Sequence, residues 1–216
     1  MKINKKAIIL IFVSVCFVGI ILTIAISSNV NALFLIAEGL EKPSKAYYSV
    51  IQRIYRLSAN KKTGDEIWSY VESNKNANLI DLYIKVLAIT NAEIASGNLI
   101  KLYSLCQQNA ERRSTVSIII DSMGLLGNDD FIPFLETLLR DYDKLKVQAT
   151  KYAIARALYL ITGNKYAYDR NPQETTKLQV TKELIEARDL ILVSKGRYRS
   201  IQEMLVLDKL YRPPGW

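Results

Sequence analysis

Two acidic pairs are the side chains of this sequence that come closest to a catalytic arrangement. Asp129 and Asp130 are adjacent, and Asp141 and Asp143 follow two residues apart. Paired carboxylates can bind a metal ion or carry out acid–base chemistry, and glycoside hydrolysis by two carboxylates needs no histidine. The first pair directly follows Asn128 at a predicted helix start, where acidic side chains interact favourably with the helix dipole. We therefore predict that these acids stabilise helix ends, and a carboxylate-dependent hydrolase is the least favoured alternative.

Most other catalytic and metal-binding chemistry is excluded by residue types that are missing. The sequence contains no histidine, which removes Ser-His-Asp and Cys-His catalysis and most zinc sites. Its two cysteines, Cys16 and Cys106, cannot form a disulfide framework, and Cys106 lies among apolar residues at helical spacing, typical of a buried side chain. Gly-rich phosphate loops and cysteine pairs at metal spacing are also absent. The sequence predicts a protein that is not an enzyme and has no cofactor or metal ion.

Aromatic and arginine side chains near the C-terminus are the candidates for binding a partner. These are the residue types that anchor protein interfaces. The candidate partner-binding residues are Tyr166, Tyr168, Arg170, Arg197, Arg199 and Trp216. Each has an alternative role: the tyrosines could pack against the C-terminal helix, the arginines could form a solvated rim, and the tail could fold back over the core.

The elements that would position these residues are helices, because the apolar residues beyond Glu38 recur at helical spacing and no alternating strand pattern persists. Ser44 is predicted to cap a helix that runs to about Ser58. A loop at 60–64 follows, and Asp65 is predicted to start the next helix. Asn171-Pro172 predicts the start of a helix to Ser194 or Lys195 that stops at Gly196. Ser200 and Glu203 form a capping-box pattern for a last helix that ends near Tyr211.

A repeat of 36 residues organises the middle of the chain. Asn91, Gly127 and Gly163 follow one another at this spacing, each at the end of an apolar helix predicted over 76–90, 112–126 and 148–162. Periods of this length built from two helices are typical of α-solenoids.

One unit of this repeat, residues 127–163, resembles a HEAT repeat. The matching residues are Pro133 in the first helix, Asp141 and Asp143 in an acidic turn, and then Leu145, Lys146 and Ala149. The resemblance is faint over 76–126 and absent elsewhere. It implies stacked pairs of helices and a tendency to bind other proteins, and it does not imply one activity.

The N-terminus predicts a membrane segment. Lys2, Lys5 and Lys6 precede a run without charged residues from Ala7 to Ala37, whose centre, Ala7–Ser27, matches the roughly 20 residues that span a bilayer. The positive-inside bias places the N-terminus in the cytoplasm and the remainder on the far side. Cleavage after Ala32, which would release a secreted or periplasmic protein, is the alternative.

Charge and compartment together narrow the choice of partners. The chain carries a net charge of +8, and beyond residue 32 a mild excess of 26 basic over 21 acidic residues remains. This excess could favour anionic lipid head groups beside an anchor, but it is too weak and dispersed for nucleic acid.

The sequence therefore predicts an all-α protein: a transmembrane helix followed by a short HEAT-like α-solenoid or array of helical hairpins. The predicted parts are a membrane segment at 1–37, a linker with N-terminal helices at 38–75, helical repeats at 76–163, and capping helices with a Pro-Pro tail at 164–216. The predicted function is a single-pass membrane protein whose extracytoplasmic domain binds another protein, on the periplasmic side if the cell is Gram-negative. A bacterial immunity protein that neutralises an envelope-targeted toxin is the runner-up.

Overall fold

The computed structural model describes residues 29–109, 114–141, 148–167 and 178–211, and confirms an all-α domain with no β-strand in these ranges. Within them the chain forms ten α-helices, and short 3₁₀ turns occur at Asp129–Phe131 and Lys209–Tyr211. The helices are α1 Val30–Gly39, α2 Lys45–Ser58, α3 Lys61–Ser73, α4 Ala77–Thr90, α5 Glu93–Gln108, α6 Thr115–Leu126, α7 Ile132–Arg140, α8 Gln148–Thr162, α9 Lys182–Val193 and α10 Ile201–Asp208.

The three helices that end at the 36-residue spacing lie in one row. α4 packs on α6, and α6 packs on α8 over the most extensive helix–helix contact of the domain. The residues that follow these helices, Asn91, Gly127 and Gly163, all adopt the left-handed conformation, with φ of 61°, 63° and 80°. Each row helix also packs against the helix that precedes it in the chain, which gives the pairs α3–α4, α5–α6 and α7–α8.

The contact between α6 and α8 depends on small side chains. A Cβ atom added to Gly124 would lie 2.7 Å from the Cα of Ala157, so the two backbones approach too closely for a larger residue. An ion pair crosses the same contact, where Arg156 Nε donates to Asp121 Oδ1 at 3.1 Å. Burial raises the pKa of Asp121, and Arg156 partly offsets this rise.

Residues at the end of the predicted membrane segment belong to the helical core. Asn29 caps α1 through Ala32 N–H, and α1 buries Val30, Leu33, Phe34 and Ala37 at helical spacing. The ring of Phe34 meets that of Tyr83 in α4 edge to face, with centroids 4.2 Å apart. The predicted division after residue 37 therefore runs through α1, while the predicted span at 7–27 lies outside the described residues. In the ranges that the structure describes, no helix is both long and apolar enough to cross a membrane.

The C-terminal helices pack differently from a simple end cap. α9 packs on α8, at the last pair, as a cap would. α10 instead returns to α2 and α4 near the other end of the row. There the buried Asp208 accepts a hydrogen bond from Tyr55 Oη at 3.0 Å and forms an ion pair with Lys85 Nζ at 3.1 Å. The segment 182–208, which contains α9 and α10, therefore links the two ends of the helical row.

One predicted helix start is wrong, and one predicted helix is not continuous. α3 begins at Lys61 and not at Asp65, because Asn60 caps it by accepting from Thr63 N–H at 3.0 Å. The predicted start at Asn171-Pro172 lies outside the described residues, but residues 178–181 are not helical, and α9 begins at Lys182 with Thr181 as its cap. The predicted caps at Ser44 and Ser200 are confirmed, as is the burial of Cys106.

Candidate functional site

An open cleft lies where the turns after α4 and α6 come together. These turns are neighbours because the two helices pack side by side, and the N-terminus of α5 and the segment after α9 complete the walls. The cleft has a volume of about 520 Å³. We call it the turn cleft, and it is lined by Asn91, Glu93, Ser96, Leu126, Gly127, Asn128, Asp129, Lys195, Gly196, Arg197 and Tyr198.

Arg199 holds the helix ends beside the turn cleft. Its side chain is 1% exposed, and its guanidinium donates to the carbonyls of Ala88 at 2.8 Å, Ile89 at 3.1 Å and Leu125 at 2.6 Å. These carbonyls lie in the last turns of α4 and α6, the negative ends of the helix dipoles, which favour a cation. Burial lowers the pKa of Arg199 to about 10, which still leaves the group charged at neutral pH. The arginine predicted to meet a partner is therefore an interior residue that joins two helices.

A second link comes from Asn91 at the end of α4. Asparagine tolerates the left-handed conformation better than most residues, and here its side chain also forms hydrogen bonds with the segment at 194–199 across the turn cleft. Its Nδ2 donates to the carbonyls of Ser194 at 3.0 Å and Arg197 at 2.8 Å. The turn after α4 and the segment at 194–199 are thereby held together from both sides, by Asn91 and by Arg199.

The rim of the turn cleft carries charges of both signs. Lys195 Nζ lies 3.0 Å from Asp129 Oδ1, and Arg197 forms a two-pronged pair with Glu203 at 2.9 and 2.6 Å. Arg197 and the capping-box bonds from Ser200 lower the pKa of Glu203 to about 2. The pair of Lys195 and Asp129 is exposed on both sides, and ion pairs of that kind contribute little to stability.

Close packing fixes the floor of the turn cleft at Gly127. A Cβ atom added there would lie 2.2 Å from Ile191 Cγ2 in α9, and φ is +63°. Tyr198 closes one side, with its hydroxyl 3.2 Å from where a Cβ of Gly64 would lie. Burial, and then the charges of Asp65 and Glu93, raise the pKa of Tyr198, so its hydroxyl stays protonated at neutral pH and does not serve as a base.

The structure describes three of the six candidate partner-binding residues, and one of these three lines the turn cleft. Tyr166 is half-buried and donates from Oη to Glu136 Oε1 of α7 at 3.2 Å. Tyr168, Arg170 and Trp216 lie outside the described residues. Arg197 lines the turn cleft, and Arg199 is buried next to it.

The acidic pairs lie at helix ends where the structure describes them. Asn128 accepts from Asp130 N–H at 3.0 Å and so caps the 3₁₀ turn that leads into α7. Asp141 follows the last residue of α7, and Asp143 is outside the described ranges. Within those ranges no three or more acidic or cysteine side chains group in a way that could hold a metal ion.

Sequence reasoning missed the inward position of Arg199, because the carbonyls that it bonds in α4 and α6 are distant in the sequence. Of the basic side chains at 195–199, Lys195 and Arg197 are exposed, whereas Arg199 is buried. Nothing in the sequence indicated that the Asn91 side chain would donate hydrogen bonds to the segment at 194–199.

Comparisons of this chain with protein-family models, with curated proteins and with solved structures found no match.

Proposed function

We propose that this chain is a non-enzymatic, membrane-anchored protein whose helical domain lies on the outer side of the membrane and binds another protein through the turn cleft. The observation that carries the proposal is the cleft itself: a rigidly held concave surface whose rim presents Lys195 and Arg197 beside Asp129 and Glu93. A surface of alternating charge fits the mixed charges of a protein better than the uniform charge of a nucleic acid.

Three pairs of helices support a HEAT-like reading of the domain. The pairs α3–α4, α5–α6 and α7–α8 follow one another, and their second helices form the row. Left-handed residues end all three row helices at the same 36-residue spacing. In α-solenoids such repeats place equivalent turns along one edge, which is where the turn cleft lies.

The packing of α1 favours an uncleaved anchor over a cleaved signal. A cut after Ala32 would remove Asn29, which caps α1, and Asn31, whose side chain accepts a hydrogen bond from Tyr83 Oη. It would also remove the buried Val30. The domain keeps these contacts only if residues 29–32 stay attached to it.

Photo-crosslinking tests the binding surface. A benzophenone amino acid replaces Ser96, inside the turn cleft, in the full chain in its native membrane, and Glu72 on the exposed face of α3 is the matched control. We expect one discrete protein adduct from position 96 and none from position 72. The double variant Lys195→Glu/Arg197→Glu should weaken the adduct about tenfold, since it inverts the basic side of the rim. Equal adducts at both positions, or an adduct indifferent to the charge reversal, would contradict the proposal.

Protease accessibility tests the topology separately. Externally added protease should digest the helical domain in spheroplasts without permeabilisation, because the proposed topology has residues 38–216 outside the cytoplasm. Digestion only after permeabilisation would place the domain in the cytoplasm and overturn the topology.

A further inference from the structure

An apolar stripe is exposed on α1. The two polar side chains of α1 border this stripe and are engaged by α4 and the residue before it: Asn31 accepts from Tyr83 Oη, and Glu38 accepts from Asn76 Nδ2 at 2.8 Å. Leu35, one turn after Asn31, is 53% exposed, and Ile36 is 39% exposed. Soluble helices usually present polar residues on such a face.

A basic helix lies beside this apolar face. α2 packs against α1 and contains Lys45, Arg53 and Arg56, all exposed, and no acidic residue. Just before α2, Lys42 Nζ lies 5.3 Å from the ring centroid of Tyr47, whose neighbour is Tyr48. Tyrosine and lysine are enriched where proteins meet lipid head groups, and cations there are attracted to anionic lipids.

The chain itself limits how far α1 can lie from a membrane. The uncharged run of the sequence continues from Ala7 through α1 without a break, and Ser27 precedes Val30 by three residues. Three extended residues reach about 10 Å at most, so α1 would start within or just outside the head-group layer. A helix lying parallel to the surface can bury its apolar face about 5–10 Å deep, whereas an upright helix would carry Leu35 into water.

We propose that α1 lies flat in the outer interface of the bilayer, with Leu35 and Ile36 directed into the lipid and the cations of α2 near the head groups. This inference rests on the proposed anchor at residues 7–27. The domain would then sit against the membrane in one orientation and would not swing freely on its tether.

Fluorescence quenching by lipids tests this placement. The full chain carries Leu35→Cys in a Cys16→Ser/Cys106→Ala background, is labelled with an NBD fluorophore, and is reconstituted in phosphatidylcholine vesicles with one quarter phosphatidylglycerol. The matched control is Leu105→Cys on α5, which is 52% exposed. Circular dichroism confirms that both labelled chains are folded.

We expect shallow nitroxide-labelled lipids to quench the probe at position 35 at least about twofold more than the probe at position 105. Equal quenching at the two positions in vesicle-bound protein would overturn this inference and leave the anchor intact. A blue-shifted but unquenched probe at position 35 would mean that protein covers the face, which also overturns it. Protein that fails to float with the vesicles would overturn both the anchor and the flat orientation of α1.

Discussion

Replacing Arg199 with methionine should destabilise the domain more than any change on its surface. Methionine keeps much of the volume of the side chain but removes every donor of the guanidinium. The carbonyls of Ala88, Ile89 and Leu125 and the hydroxyl of Ser194 would then lose a hydrogen bond in the interior. Arg199 is the side chain through which the ends of α4, α6 and the segment before α10 meet.

The size of the effect follows from opposing contributions. The carbonyl of Ala88 also accepts from Asn91 N–H at 3.2 Å, which leaves three acceptors that lose their partner. A buried polar group left without its partner costs about 1–3 kcal/mol, which sums to about 3–9 kcal/mol over three groups. Removing a buried charge returns part of its desolvation cost, and water from the adjoining turn cleft can reach some carbonyls. We expect a net loss of about 3–5 kcal/mol. At about 2–4 °C per kcal/mol for a domain of this size, the melting temperature should fall by about 6–20 °C.

Thermal unfolding of the full chain in detergent, followed by far-ultraviolet circular dichroism, measures this effect. Arg197→Met is the matched control: it removes an arginine two residues away that is exposed and paired at the surface, and it should leave the melting temperature nearly unchanged. Arg199→Lys should be intermediate, because one ammonium cannot reach all the acceptors of a planar guanidinium. Equal melting temperatures for the two methionine variants would refute the role assigned to Arg199.

Three further predictions use the same unfolding measurement. Gly124→Ala should destabilise by about 1–3 kcal/mol because its Cβ would overlap α8, whereas Gly97→Ala, in a helix with open space around it, should stabilise by about 0.5–1 kcal/mol; a stabilising change at 124 would contradict the close approach. Gly127→Ala should cost about 2–4 kcal/mol, from its left-handed backbone and its overlap with α9, while Gly196→Ala, left-handed but in open space, should cost only about 1–2 kcal/mol. Glu203→Gln should lower stability at pH 7 by about 1–2 kcal/mol. Because the pKa of Glu203 is lowered to about 2 in the folded chain, its contribution is present above its unfolded pKa and is lost as pH falls toward 2, so wild type and variant should converge there.

Local sequence patterns were sufficient to predict the helices and many of the residues at which they end. The 36-residue spacing of Asn91, Gly127 and Gly163 predicted three helix ends, and all three residues adopt the left-handed conformation that ends a helix. The caps at Ser44 and Ser200 could also be predicted, because capping depends on a few residues that are adjacent in the sequence. Gly64 shows the limit: it was read as part of a loop, yet it lies in α3, where its lack of a side chain makes room for Tyr198.

The candidate site was only partly predictable, since its residues meet through tertiary contacts. Arg197 was identified as a surface candidate and does line the turn cleft. The partners of Arg199 lie up to 111 positions away in the sequence, so its own neighbourhood could not distinguish a solvated arginine from a buried one. The carbonyls of Ser194 and Arg197, which accept hydrogen bonds from Asn91, are likewise 103 and 106 positions away from it in the sequence.

By itself, the sequence determined an all-α chain without histidine chemistry, with an uncharged N-terminal run and a 36-residue period, because composition and helical spacing are properties of short segments. The tertiary structure decided that α1 joins the core, that α10 returns to α2 and α4, and that one arginine faces inward while its neighbour faces out. These outcomes depend on which distant carbonyls and apolar surfaces the packed helices bring within reach. Because burial removes a side chain from water, each buried position is favourable only when those groups surround it.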